Sequence, residues 1–160
     1  MWVAARSPIT FDYAVANDCH IMSWPLTLPF SEAVKYRTQL DEAIAKNGGT
    51  YAGRFAMMRH TSVYETASDR QSALDATRGV LSQFGNLIMK SGEVRNGFPD
   101  PVPLESLDGN FRVEPKMLED NLMFGSPSQV IDKLGKYQEI GVDAFIYYAS
   151  MGLGMEQQQR

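Results

Sequence analysis

One stretch near the end of the chain, residues 124–151, reads as a complete helix followed by a strand: FGSPSQVIDKLGKYQEIGVDAFIYYASM. Ser126 is predicted to cap the helix, and Pro127 occupies the first helical position, where a missing N–H does no harm. Gly141 is predicted to end the helix because glycine accepts the left-handed backbone needed there. Helical spacing places five residues on the face that should pack against the protein: Val130, Ile131, Leu134, Tyr137 and Gln138. Residues 142–149 then form an apolar, aromatic run of strand length, which is typical of a parallel sheet.

The rest of the chain repeats this alternation. Strands are predicted at residues 2–5, 19–23, 54–63 and 142–149, and helices between them at 8–17, 31–47, 68–90 and 126–140. Regular alternation of strands and helices predicts an α/β fold with about four parallel strands.

Residues 91–123 differ in character, because SGEVRNGFPDPVPLESLDGN is rich in proline and glycine and has no sustained period. The segment is too long for an ordinary connection, so we expect a mobile or functional insertion before the last strand. A short helix is predicted near its end, at residues 114–121.

Composition narrows the class of protein. The chain has 160 residues, of which 44% are hydrophobic, which suits a single domain with a real core. The net charge is −4 with no basic stripe, so nucleic acid is not an expected partner. The single cysteine, Cys19, excludes an internal disulfide framework. No apolar stretch is long enough to cross a membrane and the first residues lack the pattern of a signal peptide, so a cytoplasmic location is expected.

The turn after the first strand is the best candidate site. In parallel α/β folds, ligands bind beyond the carboxyl ends of the strands, and a helix that begins there can hold a phosphate. Arg6 adds a fork of hydrogen-bond donors, and the hydroxyls of Ser7 and Thr10 reach the same place. The alternative is that Ser7 only caps its helix and that Arg6 is solvated.

Four other residues invite a functional interpretation. Trp24, at the end of the second strand, can pack against a flat cofactor ring or simply against the core. The two histidines, His20 and His60, lie in predicted strands, where we expect neighbouring groups to satisfy them. Asp143 is either a buried carboxylate with a raised pKa or the surface residue that begins the last strand, and we favour the second. No residue spacing predicts a metal site.

Two blocks of the sequence resemble the luciferase-like, flavin-dependent monooxygenases. WVAARSPITFDYAVANDCHIMSW is similar to the region of the fifth and sixth strands of that family, and FGSPSQVIDKLGKYQEIGVDAFIYYASMG is similar to its end. Residues 91–123 resemble the insertion that the family carries between its seventh and eighth strands. The resemblance covers nearly all of this chain, residues 1–160, but only the C-terminal half of a (β/α)8 TIM barrel.

The resemblance implies a cytoplasmic oxidoreductase that uses reduced FMN, or in a sister branch a deazaflavin, together with O2 and a small organic substrate. It implies flavin-phosphate contacts at Ala5, Arg6, Ser7 and Thr10, where the luciferase branch has Glu-Ser in place of Ala5-Arg6, and it places Trp24 near the flavin ring. Residues 91–123 would act as a lid. A flavin reductase is an implied partner, and the full-length protein is expected to be a dimer. The family's catalytic histidine belongs to the first four strands, which this sequence lacks, so no catalytic residue is assigned.

Three other functions remain open. A deazaflavin-dependent dehydrogenase would share the same fold. A stand-alone, non-catalytic half-barrel would bind a phosphorylated ligand or a partner protein. A non-catalytic relative would keep the fold and a trapped flavin.

Overall fold

A computed structural model describes residues 1–89, 93–100, 102–149 and 155–158. The strands in these ranges are β1 (Trp2–Ala4), β2 (His20–Ser23), β3 (Phe55–Val63), β4 (Val94–Arg95), β5 (Phe98–Pro99), β6 (Met123–Gly125) and β7 (Ala144–Tyr148). The α-helices are α1 (Pro8–Ala16), α2 (Phe30–Lys46), α3 (Ala67–Met89), α4 (Pro115–Asn121), α5 (Pro127–Glu139) and α6 (Met155–Gln158). Short 3-10 helices lie at Leu104–Leu107 and Phe111–Val113.

The four predicted strands form one parallel row in the order β1-β2-β3-β7. β2 pairs with β1 on one side and with the first residues of β3 on the other. β7 pairs with residues 56–60 of β3. The carboxyl ends of these strands therefore lie at the same edge of the sheet. The predicted α/β class with parallel strands is confirmed.

The structure adds a fifth parallel strand that the sequence did not predict. β6 pairs with residues 61–63 at the carboxyl end of β3, so the expected count of about four strands is one too low. Three residues are too few to show a strand period, and the pairing partner is about sixty residues earlier in the chain. Only the tertiary fold makes this segment a strand.

Three helices cover one face of the sheet. The core on this face includes the side chains of Phe11 from α1 and of Tyr36 and Leu40 from α2, packed against Ile21 and Phe55 of the strands. Each of these five side chains is at most 1% exposed. Burial of large apolar side chains on this scale is the main stabilising term of such a layer.

Helix α5 completes this layer in the predicted way. Its first turn is held by a capping box, in which the Ser126 hydroxyl accepts from Gln129 N–H and the Gln129 side chain accepts from Ser126 N–H. Gly141 follows with a φ of 75°. Tyr137 is buried, but Ile131, expected on the same face, is 66% exposed.

Helix α3 packs in a core separate from that layer. Its buried residues Ala73 and Leu74 pack in a second core with Leu118 of α4, Leu122 and Phe124. The helix therefore packs with the end of the segment predicted to be an insertion. The predicted helix ends at residue 90, which lies outside the described residues.

The segment of residues 91–123 is structured over most of its length, although residues 91, 92 and 101 lie outside the described ranges. It contains the antiparallel β4–β5 hairpin, the two 3-10 helices and α4, which confirms the short helix predicted near its end. In the described ranges, no helix has the length and apolar character to span a membrane.

Candidate functional site at the carboxyl ends of the strands

The turn between β1 and α1 begins with a fully buried residue. Ala5 is 0% exposed, its N–H donates to the Met22 carbonyl, and its own carbonyl accepts from the Ser23 hydroxyl at 2.7 Å. Both backbone hydrogen-bonding groups of Ala5 are therefore used within the sheet. Ala5 fixes the point at which the chain leaves the sheet and enters the turn.

Arg6, Ser7 and Thr10 lie together at this turn. The hydroxyls of Ser7 and Thr10 are 3.0 Å apart, and Arg6 Nε donates to the Tyr36 hydroxyl at 3.2 Å. Ser7 holds the N-cap position of α1 without a side-chain capping bond, and Arg6 is exposed.

A cluster of three rings lies on the face of the sheet that the three helices leave free. Trp24 directly follows β2, Tyr148 ends β7, and His60 lies in β3 opposite Tyr148; we call the three residues the aromatic cluster. The ring of His60 lies 5.5 Å from that of Trp24 and 4.9 Å from that of Tyr148. Trp24 and Tyr148 are 6.2 Å apart, so the three rings are in mutual contact range.

The polar atoms of this cluster are buried without partners. Trp24 Nε1 and both ring nitrogens of His60 have no hydrogen-bond partner within the described structure. Unpaired buried polar groups are rare and costly, so each requires an explanation. A bound ligand is one that the position favours, since ligands of parallel sheets bind at this edge.

His60 is held in its neutral form. Burial, followed by the positive charge of Arg59, lowers the pKa of His60 from 6.5 to about 4. A neutral imidazole has one N–H donor and one acceptor nitrogen, so His60 can both donate to and accept from a ligand at neutral pH.

The two histidines differ in a way that the sequence did not predict. His20 is satisfied as expected, because its Nδ1 accepts from Arg54 N–H at 2.9 Å and its ring lies 4.9 Å from that of Trp2. The same expectation is wrong for His60. The available signal was strand alternation, which puts His60 on the face opposite Met57 and Phe55, away from the helices.

Arg59 is a further residue that sequence reasoning missed. Its side chain is 0% exposed and donates from Nε to the Tyr137 hydroxyl at 2.7 Å. Its terminal nitrogens donate to the carbonyls of Leu26, Leu28 and Pro29, so a buried cation holds the whole loop that follows Trp24.

That loop contains a strained residue. Leu26 has a φ of 57°, a left-handed conformation that is unfavourable for a bulky side chain. Strain of this kind persists only where surrounding contacts over-determine it, and Arg59 supplies them together with the Asn121 side chain, which donates to the Thr27 carbonyl.

The structure gathers some of the predicted residues and keeps others apart. It brings Arg6, Ser7 and Thr10 together and places Trp24 against His60. In the described residues no hydrogen bond or ring contact joins these two groups directly. Asp143 is exposed just before β7, as expected, and its carboxylate accepts from Phe55 N–H. No group of three or more His, Cys, Asp or Glu residues in the described ranges is arranged for a metal ion.

No family model matches the chain. Among curated proteins, it is 26% identical over 159 residues to the oxygenase component of the flavin-dependent trigonelline monooxygenase of Acinetobacter baylyi. The match covers 99% of this chain and 44% of that protein, so the chain spans less than half the length of the curated relative.

Solved structures show the same fold. The chain is similar to monooxygenase RslO1 from Streptomyces bottropensis, with a TM-score of 0.59 and 17% identity over 98% of this chain and 43% of that one. It is also similar to an F420-dependent secondary alcohol dehydrogenase, with a TM-score of 0.58 and 19% identity over 91% of this chain and 42% of that one. The predicted resemblance is confirmed: the chain is similar, in sequence and in α/β fold, to part of the luciferase-like flavin-dependent oxidoreductases.

Proposed function

We propose that this chain forms part of a flavin-dependent monooxygenase that uses reduced FMN and O2 to oxidise a small organic substrate. The observation that carries the proposal is the aromatic cluster, where buried polar atoms without partners lie at the edge of the sheet at which ligands of such folds bind. The named activity of the sequence relative supports the choice of a flavin and of oxygenase chemistry.

The residues present suit a flavin. Arg6 and the hydroxyl pair of Ser7 and Thr10 offer donors for a phosphate at the start of α1. Trp24 would pack against the ring system, and the neutral imidazole of His60 would donate to or accept from a polar edge of the flavin or substrate. When bound, the reduced flavin supplies the two electrons of the reaction.

We assign the segment of residues 91–123 the role of a cover over this edge. Residues 102–113 lie beside Leu26 and Thr27 of the loop that follows Trp24, which supports the assignment. A cover at this place would exclude water from the reacting groups. The relative is named as an oxygenase component, and on that ground we assign this protein a separate flavin reductase as partner. A dimeric full-length protein also remains a proposal.

The phosphate assignment is tested by comparing FMN with riboflavin, which lacks the phosphate. In the complete protein, Arg6→Ala combined with Ser7→Ala is expected to weaken FMN binding by about tenfold and to leave riboflavin binding unchanged. Arg54→Ala, an exposed arginine at the opposite end of the sheet, is the matched control. Equal loss for both ligands, or no loss for FMN, would remove the phosphate site from the proposal.

One comparison favours a second cofactor. The similarity to an F420-dependent dehydrogenase supports a deazaflavin as the alternative. Titration of the complete protein with F420 and FMN decides between them, because the true cofactor should bind at least about tenfold more tightly.

A non-catalytic module for phosphorylated ligands makes a different prediction. It would bind ribitol 5-phosphate, which lacks the ring, as tightly as FMN. The flavin proposal requires the ring contact with Trp24, so FMN should bind much more tightly than the ring-free phosphate. A relative that only keeps a trapped flavin would bind FMN but consume no O2 with any substrate.

A further inference from the structure

A cavity of about 420 Å³ lies between α3, residues 102–113 and the loop after Trp24, and we call it the α3 cavity. Its apolar walls come from Leu26, Leu81, Phe84, Val102, Leu107 and Val113. The other lining residues are glycine or neutral polar residues, and none of the described lining residues carries a formal charge.

Specific contacts tie together the elements that surround the cavity. Asn86, itself a lining residue, donates to the Asp100 carbonyl at 2.9 Å, and Arg78 donates to the Asp108 carboxylate at 2.7 Å, so two side chains of α3 bind the covering segment. Arg59 donates to the carbonyl of Leu26, whose side chain forms part of the wall.

The strained backbone at Leu26 supports a functional role for this wall of the cavity. A glycine would adopt the left-handed conformation without cost, yet the position holds a large apolar side chain at a φ of 57°. The buried guanidinium of Arg59 is committed to holding that conformation. The result is an apolar side chain next to Thr27, where the loop from the aromatic cluster meets the cavity.

We propose that the α3 cavity binds a neutral, mainly apolar organic molecule, and that Arg59 is the residue that positions its Leu26 wall. The volume lies in the range of small-molecule sites, roughly 300 to 1,000 Å³. The absence of charge from the described walls disfavours an ionic ligand, which would lose its hydration without a partner. Naming this molecule as the substrate rests on the proposed function, whereas its binding does not.

The test uses 1-fluoronaphthalene, a neutral bicyclic probe, followed by fluorine NMR in the complete, flavin-free protein. Gly85 lines the cavity, and a Cβ added there meets nothing within 4 Å, so Gly85→Leu should fill the space without a clash. Gly135→Leu is the matched control, because Gly135 is also helical with no atom within 4 Å of an added Cβ, but lines a different groove.

The wild-type protein and Gly135→Leu are expected to show saturable binding with affinities within about twofold, and Gly85→Leu to bind at least about tenfold more weakly. No saturable binding to the wild type, or equal binding to Gly85→Leu, would overturn the proposal.

The role of Arg59 is tested through its loop. Leu26→Gly keeps the backbone conformation but removes the wall, so it should weaken probe binding by about tenfold, whereas Leu28→Gly in the same loop should not. Arg59→Lys, which loses the fork that holds several carbonyls, should reproduce the Leu26→Gly loss. Unchanged probe affinity in Arg59→Lys would overturn the positioning role, and unchanged affinity in Leu26→Gly would overturn the assignment of Leu26 to the wall.

FMN titration of the same samples separates the two proposals. FMN binding without probe binding overturns the cavity site alone. Probe binding without FMN binding supports the cavity site and overturns the proposed function.

Discussion

The two ends of the parallel sheet differ in whether their polar side chains have hydrogen-bond partners. At the amino end, His20 accepts from Arg54 N–H, and the Asp143 carboxylate accepts from Phe55 N–H at 2.8 Å. The Tyr51 hydroxyl donates to a backbone carbonyl there, and burial is the main cause that raises its pKa to about 12. Every polar group named here has a partner within the chain.

At the carboxyl end, Trp24 Nε1 and both nitrogens of His60 are buried without a partner in the described structure. Beside them lie Leu26 in a strained conformation and the buried cation of Arg59. The unpaired nitrogens and the conformation of Leu26 each cost free energy, so a fold selected for stability alone would not keep them. The contrast supports our proposal that the carboxyl end binds a ligand.

Arg59 should show the largest effect on stability. Arg59→Met removes its hydrogen bonds and leaves loop carbonyls without donors, so we expect the free energy of unfolding to fall by about 3 to 5 kcal/mol. Arg54→Met, an exposed arginine at the amino end, should change it by no more than about 0.5 kcal/mol. Chemical denaturation followed by circular dichroism measures both, and similar losses in the two variants would contradict the assigned role.

The pH dependence of stability should report the burial of neutral His60. Its pKa is lowered to about 4 in the folded protein, so the unfolded chain, with a pKa near 6.5, binds the proton more readily. The free energy of unfolding therefore has its full value above pH 6.5, where His60 is neutral in both states. It falls by about 3 kcal/mol in all as the pH drops toward 4 and below.

Denaturation at pH 7, 5.5 and 4 tests this expectation. His60→Asn should lose less stability over this range than the wild type. An unchanged pH dependence in His60→Asn would show that other groups cause the loss.

Replacing each histidine by phenylalanine sharpens the comparison, because the two changes should have opposite signs. His60→Phe removes unpaired buried nitrogens and keeps a ring of similar shape, so the ligand-free protein should gain about 1 kcal/mol. His20→Phe removes the acceptor of Arg54 N–H and should cost about 1 kcal/mol. Thermal unfolding of both ligand-free variants gives the two signs, and losses of equal size would break the comparison.

Asp143 should show the smallest effect. Asp143→Ala removes the acceptor of Phe55 N–H at an exposed position, where water can replace it, so the expected cost is about 0.5 kcal/mol. Asp143→Asn keeps an acceptor oxygen and should recover most of this loss. Denaturation curves of the two variants check the assignment, which fails if asparagine and alanine behave alike.

Local signals explain why much of the fold could be predicted. Ser126, Pro127 and Gly141 act within a few residues of their own positions, and helix α5 begins and ends where they indicate. The strand β6 and the packing of α3 depend instead on residues far away in the chain, such as Thr61 and Leu118, and no local pattern carries that information.

The candidate site was predicted only in part for the same reason. The position of Trp24 at a strand end followed from the order of the elements, and so did the grouping of Arg6 with Ser7. The burial of Arg59 and the unpaired state of His60 follow from which loop and which rings surround them. A sequence shows that a histidine is present, but its missing partner becomes visible only in three dimensions.

The most direct test of the central claim is the FMN affinity of His60→Phe measured beside that of His20→Phe in the complete protein. If the carboxyl end holds the ligand, His60→Phe should weaken FMN binding by about tenfold, and His20→Phe should change it by no more than about twofold. Equal affinities in the two variants, with both proteins folded, would contradict the claim that the aromatic cluster is the binding site.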